Sequence, residues 1–438
     1  MNKEIKTRVL IITYYWPPSG GAGVQRWLKF AKYLPEFGWQ PVVYTPENPE
    51  APTTDESLSK DIHPDVQVIK KSIWEPYAWY RRFTGKDKNQ RINAGFLQEK
   101  KSNRFLENIS VFIRGNLFIP DARKFWIKPS AKFLIKYLQK NHIDVVVSTG
   151  PPHSMHLIAL EIKKRLDVKW MADFRDPWTN IDFYKDLKLT RRSDKKHQRL
   201  EQEVLRNADI VLSVGETMGE ELERLGAKKI EVITNGFDAN DITEIKQDLD
   251  VDFSIVHVGS INKDRNHEVF WQAIEELVAE NEMLSQQLVL KFIGKLDHDV
   301  FEQVQRRKLT KNFKYIEYIA HDQIMRELMK ARLLYLPINK SPNAKGIITG
   351  KLFEYFAAKR PVLVVGPKDS DVQKIIDLTK SGQVYDFEDR TGIKNYIREC
   401  FSKYIEGNDR ELKTNVDEFS RKNLTGKLST ILEELSHE

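Results

Sequence analysis

Residues 345–363 read Lys-Gly-Ile-Ile-Thr-Gly-Lys-Leu-Phe-Glu-Tyr-Phe-Ala-Ala-Lys-Arg-Pro-Val-Leu, and this order sets a hydroxyl, a glycine, an ammonium and a carboxylate close together. The Thr349 hydroxyl can cap a helix that Gly350 opens, which aims free backbone N–H groups, the positive end of the helix dipole and the Lys351 ammonium at one point. A phosphate or diphosphate suits that point. Glu354 follows Lys351 by one turn on the same helix face, so its carboxylate can take a sugar hydroxyl while the lysine holds the phosphate. Without a ligand, the same residues would make an amphipathic helix with a surface Lys–Glu pair.

Such a helix needs a loop before it and a sheet behind it. The β-branched run 362–365 supplies a strand suited to a parallel sheet. The pattern recurs at the start of the chain. Residues 8–15 are a hydrophobic strand, the loop 16–23 carries Gly20, Gly21 and Gly23, and residues 24–34 show helical spacing through Val24, Trp27, Leu28, Ala31 and Leu34. A strand, a glycine turn and a helix make an anion site that the backbone can approach closely, or else a structural turn. The dinucleotide fingerprint is absent, which excludes a nicotinamide or flavin cofactor on this stretch. Residues 253–260 repeat the unit as a strand ending at Gly259 and Ser260, with Lys263 and Arg265 in the following turn and a helix over 268–280.

Two loops between these halves carry further chemistry. The strand 143–149 leads into Gly150-Pro151-Pro152-His153, at the end of a parallel strand where α/β sheets place ligands. His153 is therefore a candidate proton carrier or acceptor contact, or a loop histidine with no catalytic duty. Residues 170–178 pack Asp173, Arg175 and Asp176 into four positions. The two carboxylates could bind acceptor hydroxyls, or an Asp–Arg network could fix the loop. Further strands are expected at 41–45, 66–69, 208–214, 288–294 (ending at Gly294), 313–318 and 333–337, and helices at 201–207 and in the tail 412–435. The polar stretch 241–251 reads as a linker.

At 438 residues the chain has the length for two domains, and 40% hydrophobic with 30% charged residues is an ordinary globular composition. No apolar run reaches bilayer-spanning length, and the start lacks a signal-peptide pattern, so a cytoplasmic location is expected. A lone Cys400 precludes an intrachain disulfide and a thiolate zinc site. Between Arg81 and Lys140 there are 15 Lys and Arg against four Asp and Glu, a surplus of 11, so the remainder carries −4 of the net +7. Trp74 precedes this stretch, and within it Phe112, Leu117, Phe118, Phe125 and Trp126 are interleaved with Arg104, Arg114, Arg123 and Lys124. This mixture fits a face that docks on an anionic membrane surface, or helices that complete the core with their cations in water. No nucleic-acid module is recognisable, and no nucleic-acid partner is expected.

The Lys345–Leu363 wording resembles the donor-binding signature of family 4 glycosyltransferases, retaining enzymes of the two-domain GT-B architecture. That family has two glutamates flanking the motif; Glu354 matches the second, similar to a ribose-binding glutamate, and Gly346 stands at the first. The resemblance implies that Gly20, Gly21 and Gly23 face the donor diphosphate, and that Gly259, Ser260, Lys263, Gly294, Thr349 and Gly350 line the donor site. It implies that the backbone at Ala320 reads the base. The family's diphosphate-binding arginine and lysine fall at Ser260 and Arg265, leaving Arg265 and Lys351 as the catalytic cations, with His153 as a third catalytic candidate on the acceptor side. The phrase 173–178 looks like the DFRDPW-type segment of bacterial polysaccharide glycosyltransferases, which borders the acceptor cleft, hence Asp173 and Asp176 as acceptor-binding residues.

The expected fold is therefore α/β, with two doubly wound Rossmann-like domains facing a cleft. The expected division is an acceptor-side domain over 1–240 with the basic insertion at about 73–128, a nucleotide-sugar domain over 241–415, and a helix over 416–438 packing back on the first. The expected activity is transfer of a sugar from a nucleotide-sugar to a lipid-linked or saccharide acceptor in surface-polysaccharide assembly. It would proceed with retention and with no metal or cofactor beyond the nucleotide-sugar co-substrate, at the inner face of the plasma membrane. The rivals are a sugar-nucleotide epimerase of the same architecture and a non-catalytic nucleotide-sugar-binding protein.

Overall fold

The computed structural model describes residues 7–50, 53–75, 104–182, 184–239, 248–317, 319, 321–409 and 414–438. Part of the basic insertion (76–103), most of the expected linker (241–247) and Ala320 lie outside the described residues. The chain forms two compact units, Met1–Thr234 with Leu424–Glu438, and Asn235–Asn423.

The first unit is built on a parallel sheet of seven strands among the described residues: β1 (Thr7–Ile12), β2 (Trp39–Pro46), β3 (Gln67–Lys71), β4 (Val145–Gly150), β5 (Lys169–Phe174), β6 (Ile210–Ser213) and β7 (Ile230–Val232). Their order is β3-β2-β1-β4-β5-β6-β7. The strands are continuous apolar runs because both faces are covered. Leu10 and Ile12 pack with Met155 and Ile158 on one face, while Val9 and Ile11 pack with Trp27, Leu28 and Ala31 on the other. Four leucines of the helix Arg421–His437, namely Leu424, Leu428, Leu432 and Leu435, lie in this second cluster, each at most 2% exposed. Truncating Leu428 to alanine would cost about 2–5 kcal/mol.

The second unit has a parallel sheet of six strands among the described residues: β8 (Phe253–Val258), β9 (Leu288–Ile293), β10 (Phe313–Ile316), β11 (Leu333–Pro337), β12 (Val362–Val365) and β13 (Gly382–Tyr385), ordered β10-β9-β8-β11-β12-β13. Phe253 and Ile255 face one core and Val256 and Val258 the other, so this sheet too is covered on both sides. Both units are α/β and Rossmann-like, as expected.

In each sheet the order reverses beside its first strand, between β1 and β4 and between β8 and β11. Neighbouring loops leave in opposite directions at such a switch point and open a crevice at the carboxyl ends of the strands. One helix is longer than expected, spanning Arg191–Asn207 rather than starting near 201. Its buried stripe begins with Ser193, His197 and Glu201, polar residues that conceal the helical period until Val204 and Leu205.

Candidate active site

In the second unit, β8 and β11 pair only at Leu333–Ile255 and Leu334–Val256, then diverge toward their carboxyl ends. The Tyr355 hydroxyl bridges the gap, accepting from the Val258 N–H (3.2 Å) and donating to the Tyr335 carbonyl (3.1 Å). This bond holds the helix Gly350–Ala358 over the crevice. Thr349 caps that helix, its Oγ1 accepting from the Lys351 N–H at 3.3 Å. Lys359 closes it in the left-handed region (φ 53°), ahead of Pro361.

The Lys351 stem runs from the first turn of this helix across Gly259, just after β8. A Cβ at Gly259 would overlap Lys351 Cε and stand 2.6 Å from Nζ, and Gly259 has a φ of +124°. Gly294, after β9, has a φ of +119°, and a Cβ there would lie 2.6 Å from the Gly259 carbonyl oxygen. Two glycine turns are thus stacked where strands, helix N-terminus and lysine meet.

Arg265 reaches the same place from the turn Lys263–Arg265. Its Nε donates to Asn339 Oδ1, just past β11, and its Nη1 to the Ser260 carbonyl (3.4 Å). Burial, then the charge of Arg265, lower the Lys351 pKa, and Glu354 opposes them. Two cations that disfavour each other at a helix N-terminus make a site for an anion. Beneath them His257, buried with Nδ1 3.0 Å from the Tyr335 carbonyl, is pushed down to about 3, first by burial and then by Lys351 and Arg265. His257 is neutral and adds no third charge.

The structure therefore brings Gly259, Ser260, Gly294, Arg265, Thr349, Gly350, Lys351 and Glu354 to one crevice. Lys263 is exposed and lines a neighbouring cavity of about 550 Å³ with His267, Lys340, Phe387 and Arg390. Gly346 ends the short turn Ala344–Gly346, its N–H donating to the Asn343 carbonyl at 3.0 Å. Sequence reasoning missed Asn339, which orients Arg265, and Tyr355. Only the position of Asn339 at the end of an apolar strand marked it.

In the first unit the glycine loop follows β1. Gly21 has a φ of +91° and precedes the helix Ala22–Tyr33, and the Gly20 N–H donates to the Thr53 carbonyl (2.8 Å). His153 stands in the loop after β4, stacked on Trp178 with ring centroids 4.6 Å apart. Its Nδ1 has no hydrogen-bond partner, and burial, then His156 and Arg175, hold its pKa well below the usual histidine value. The imidazole is neutral. The helix Ser154–Lys163 that follows is capped by Asp121, whose carboxylate accepts from the Ser154 N–H (2.9 Å) and hydroxyl (2.8 Å), a partner that sequence reasoning did not find.

Asp173 corrects an expectation. It is fully buried, with Oδ1 accepting from Arg26 Nε (3.1 Å) and Nη2 (3.0 Å) and Oδ2 from Trp27 Nε1 (2.6 Å) and Thr149 Oγ1 (2.7 Å). These bonds occupy its carboxylate inside the fold, so Asp173 ties the helix after the glycine loop to β4 instead of meeting an acceptor. Asp176, by contrast, is exposed.

These features accord with comparisons to known proteins. The family model described as Glycosyltransferase Family 4 matches residues 20–241, or 222 of the 438 residues. No curated protein matches the chain. Among solved structures the fold is similar to sucrose-phosphate synthase from Thermosynechococcus elongatus, with a TM-score of 0.59, 13% identity, and coverage of 98% of this chain and 99% of that one. Anabaena Alr3699/HepE in complex with UDP-glucose gives a TM-score of 0.57 at 11% identity, covering 98% and 99%. WaaG, a glycosyltransferase involved in lipopolysaccharide biosynthesis, gives 0.54 at 13%, covering 97% and 99%. The matched half of the sequence and the two Rossmann-like units lead to one conclusion: the chain belongs to Glycosyltransferase Family 4 and is a glycosyltransferase of the GT-B fold.

Proposed function

We propose that the protein transfers a sugar from a nucleotide-sugar to a lipid-linked or saccharide acceptor during assembly of a bacterial surface polysaccharide, with retention of configuration and without a metal ion. The observation that carries this reading is the convergence of Lys351, Arg265 and the Gly350 helix terminus over the two stacked glycine turns. Charge builds on the leaving diphosphate as the glycosidic bond breaks, and fixed cations aimed at it stabilise that state without reorganising. Glu354, one turn along the helix, is assigned to the donor's ribose. Neutral His153 and exposed Asp176 are assigned to the acceptor side.

A lipid-linked acceptor is favoured by the surface of the first unit. Trp74, Phe112, Leu117 and Phe125 are 57%, 44%, 59% and 43% exposed, and Lys124 Nζ lies over the rings of Phe118 (5.2 Å) and Phe125 (4.9 Å). Exposed rings and aliphatic groups with cations at their edges suit the interface of an anionic membrane. No described helix is long and apolar enough to cross a membrane.

The test is release of nucleoside diphosphate from uridine, guanosine and thymidine nucleotide-sugars, with and without a polyprenyl-diphosphate-sugar and with chelator present. Acceptor-dependent release from one donor despite chelator is expected. A changed nucleotide-sugar formed without acceptor would identify an epimerase instead. Nucleotide binding with no turnover for any donor and acceptor would leave a binding protein.

A further inference from the structure

We propose that Arg175 is a positioning residue that sets the spacing between the glycine loop and the His153 loop. It thereby controls turnover without touching donor or acceptor. Arg175 follows β5 at its carboxyl end. Its Nη1 donates to the Gly23 carbonyl (2.7 Å), its Nε to the Gly150 carbonyl (3.3 Å) and its Nη2 to the Pro151 carbonyl, while its backbone N–H also donates to Gly150 (3.0 Å). One planar fork thus binds the first turn of the helix Ala22–Tyr33, which follows the glycine loop, and the end of β4 with the loop after it, on the two sides of the switch point.

Both contacts are close-fitting. A Cβ at Gly23 would stand 3.1 Å from Arg175 Nη1 and 3.1 Å from Tyr15 Cδ2. A Cβ at Gly150 would stand 2.6 Å from His156 Nε2 and 3.1 Å from His153 Nδ1. The Gly150 carbonyl that Arg175 holds therefore belongs to a residue packed directly against the His153 and His156 rings. Trp178, three residues on, stacks on that ring from the other end of the same segment. Residues 173–178 act as a brace: Asp173 fixes the helix behind the glycine loop, Arg175 fixes the first turn of that helix to the start of the His153 loop, and Trp178 fixes the imidazole plane.

The guanidinium geometry is what the role requires. Arginine presents several donors in a fixed plane, whereas lysine offers a single compact ammonium that cannot span three carbonyls. Charge alone is therefore insufficient, and this separates the proposal from a general need for a cation.

The inference rests on the transferase reading for its kinetic test but not for its structural one. Hydrogen exchange on the intact chain compares wild type with Arg175→Lys and Arg175→Ala, following peptides over 19–26 and 149–157 and, as a control, 353–365. Faster exchange confined to the first two in both variants, reversed in Arg175→Ala by added guanidinium but not by sodium chloride, is expected. In the diphosphate-release assay, kcat should fall about 100-fold, the loss expected from a misplacement near 1 Å, with donor KM little changed and partial rescue by guanidinium. Unchanged exchange in both loops would overturn the proposal, as would wild-type kcat in Arg175→Lys. If wild type itself turns over no donor, the transferase reading fails, and exchange alone then decides the role of Arg175.

Discussion

Lys351 and Gly259 share one volume: the lysine stem crosses the glycine Cα so closely that a Cβ there would fall 2.6 Å from Nζ. Gly259→Ala therefore displaces the cation without altering it chemically. Diphosphate release should fall about 100- to 1,000-fold, as it does when one group stabilising developing charge is removed. Lys351→Ala should lose a similar amount, and the double variant should be no worse than either single one. Additive losses in kcat would show that the two residues act separately.

The lowered pKa of Lys351 predicts how nucleotide binding responds to pH. Burial and Arg265 favour loss of its proton, so affinity for a nucleoside diphosphate should weaken with rising pH before an ordinary lysine would titrate. Calorimetric titration with UDP and GDP across pH 7–10 reads this. Lys351→Arg should remove the alkaline weakening, because arginine stays protonated there.

Asp173→Ala leaves Nε and Nη2 of the buried Arg26 and the Trp27 N–H without their acceptor, while Arg26 Nη1 keeps the Thr234 carbonyl. Loss of one partner from a buried pair costs about 3–5 kcal/mol, so the urea midpoint of the first unit should fall sharply. An exposed acceptor-binding carboxylate would change KM and leave the midpoint alone.

Five buried histidines predict acid sensitivity. His156 and His257 are pushed down to about 3 and His267 to about 4, chiefly by burial; His153 lies well below its usual value, and burial lowers His197 as well. In the unfolded chain each takes a proton near pH 6.5, so the unfolded state binds more protons than the folded one below that pH. Stability should be full above pH 6.5 and fall as pH drops toward 4. Denaturation midpoints at pH 7.5, 6 and 5 test this, and His257→Gln should flatten the slope.

The exposed apolar face predicts lipid binding. Cosedimentation with vesicles containing phosphatidylglycerol should be strong at low salt and weaken as salt rises. Phe112→Ser with Phe125→Ser should abolish it without changing turnover of a soluble acceptor. Equal binding to neutral vesicles would contradict the role of the cations.

The sheets were legible because a strand covered on both faces is a continuous apolar run, as at Val145–Val147 and Val362–Val365. The Lys351 helix was legible because cap, glycine and lysine are adjacent. What stayed hidden is tertiary. Asn339 meets Arg265 across 74 residues, Asp173 meets Arg26 across 147, and Arg175 meets Gly23 across 152. Local spacing carries no record of such approaches. Density of charge at 173–176 marked an important segment but could not separate a ligand contact from a brace, since both need compensated charge.

The leucines of Arg421–His437 impose an order on synthesis. The first unit lacks Leu424, Leu428, Leu432 and Leu435 until the 189 residues 235–423 have left the ribosome. At roughly 5–20 residues per second that delay is about 10–40 s. The second unit, contiguous in the chain, is complete first, and the amino-terminal half must wait with an uncovered core beside Trp27 and Leu28. A chain truncated before Leu424 and released would thus present a finished second unit joined to an unfinished first one, a form that chaperones and proteases can distinguish from the full-length protein.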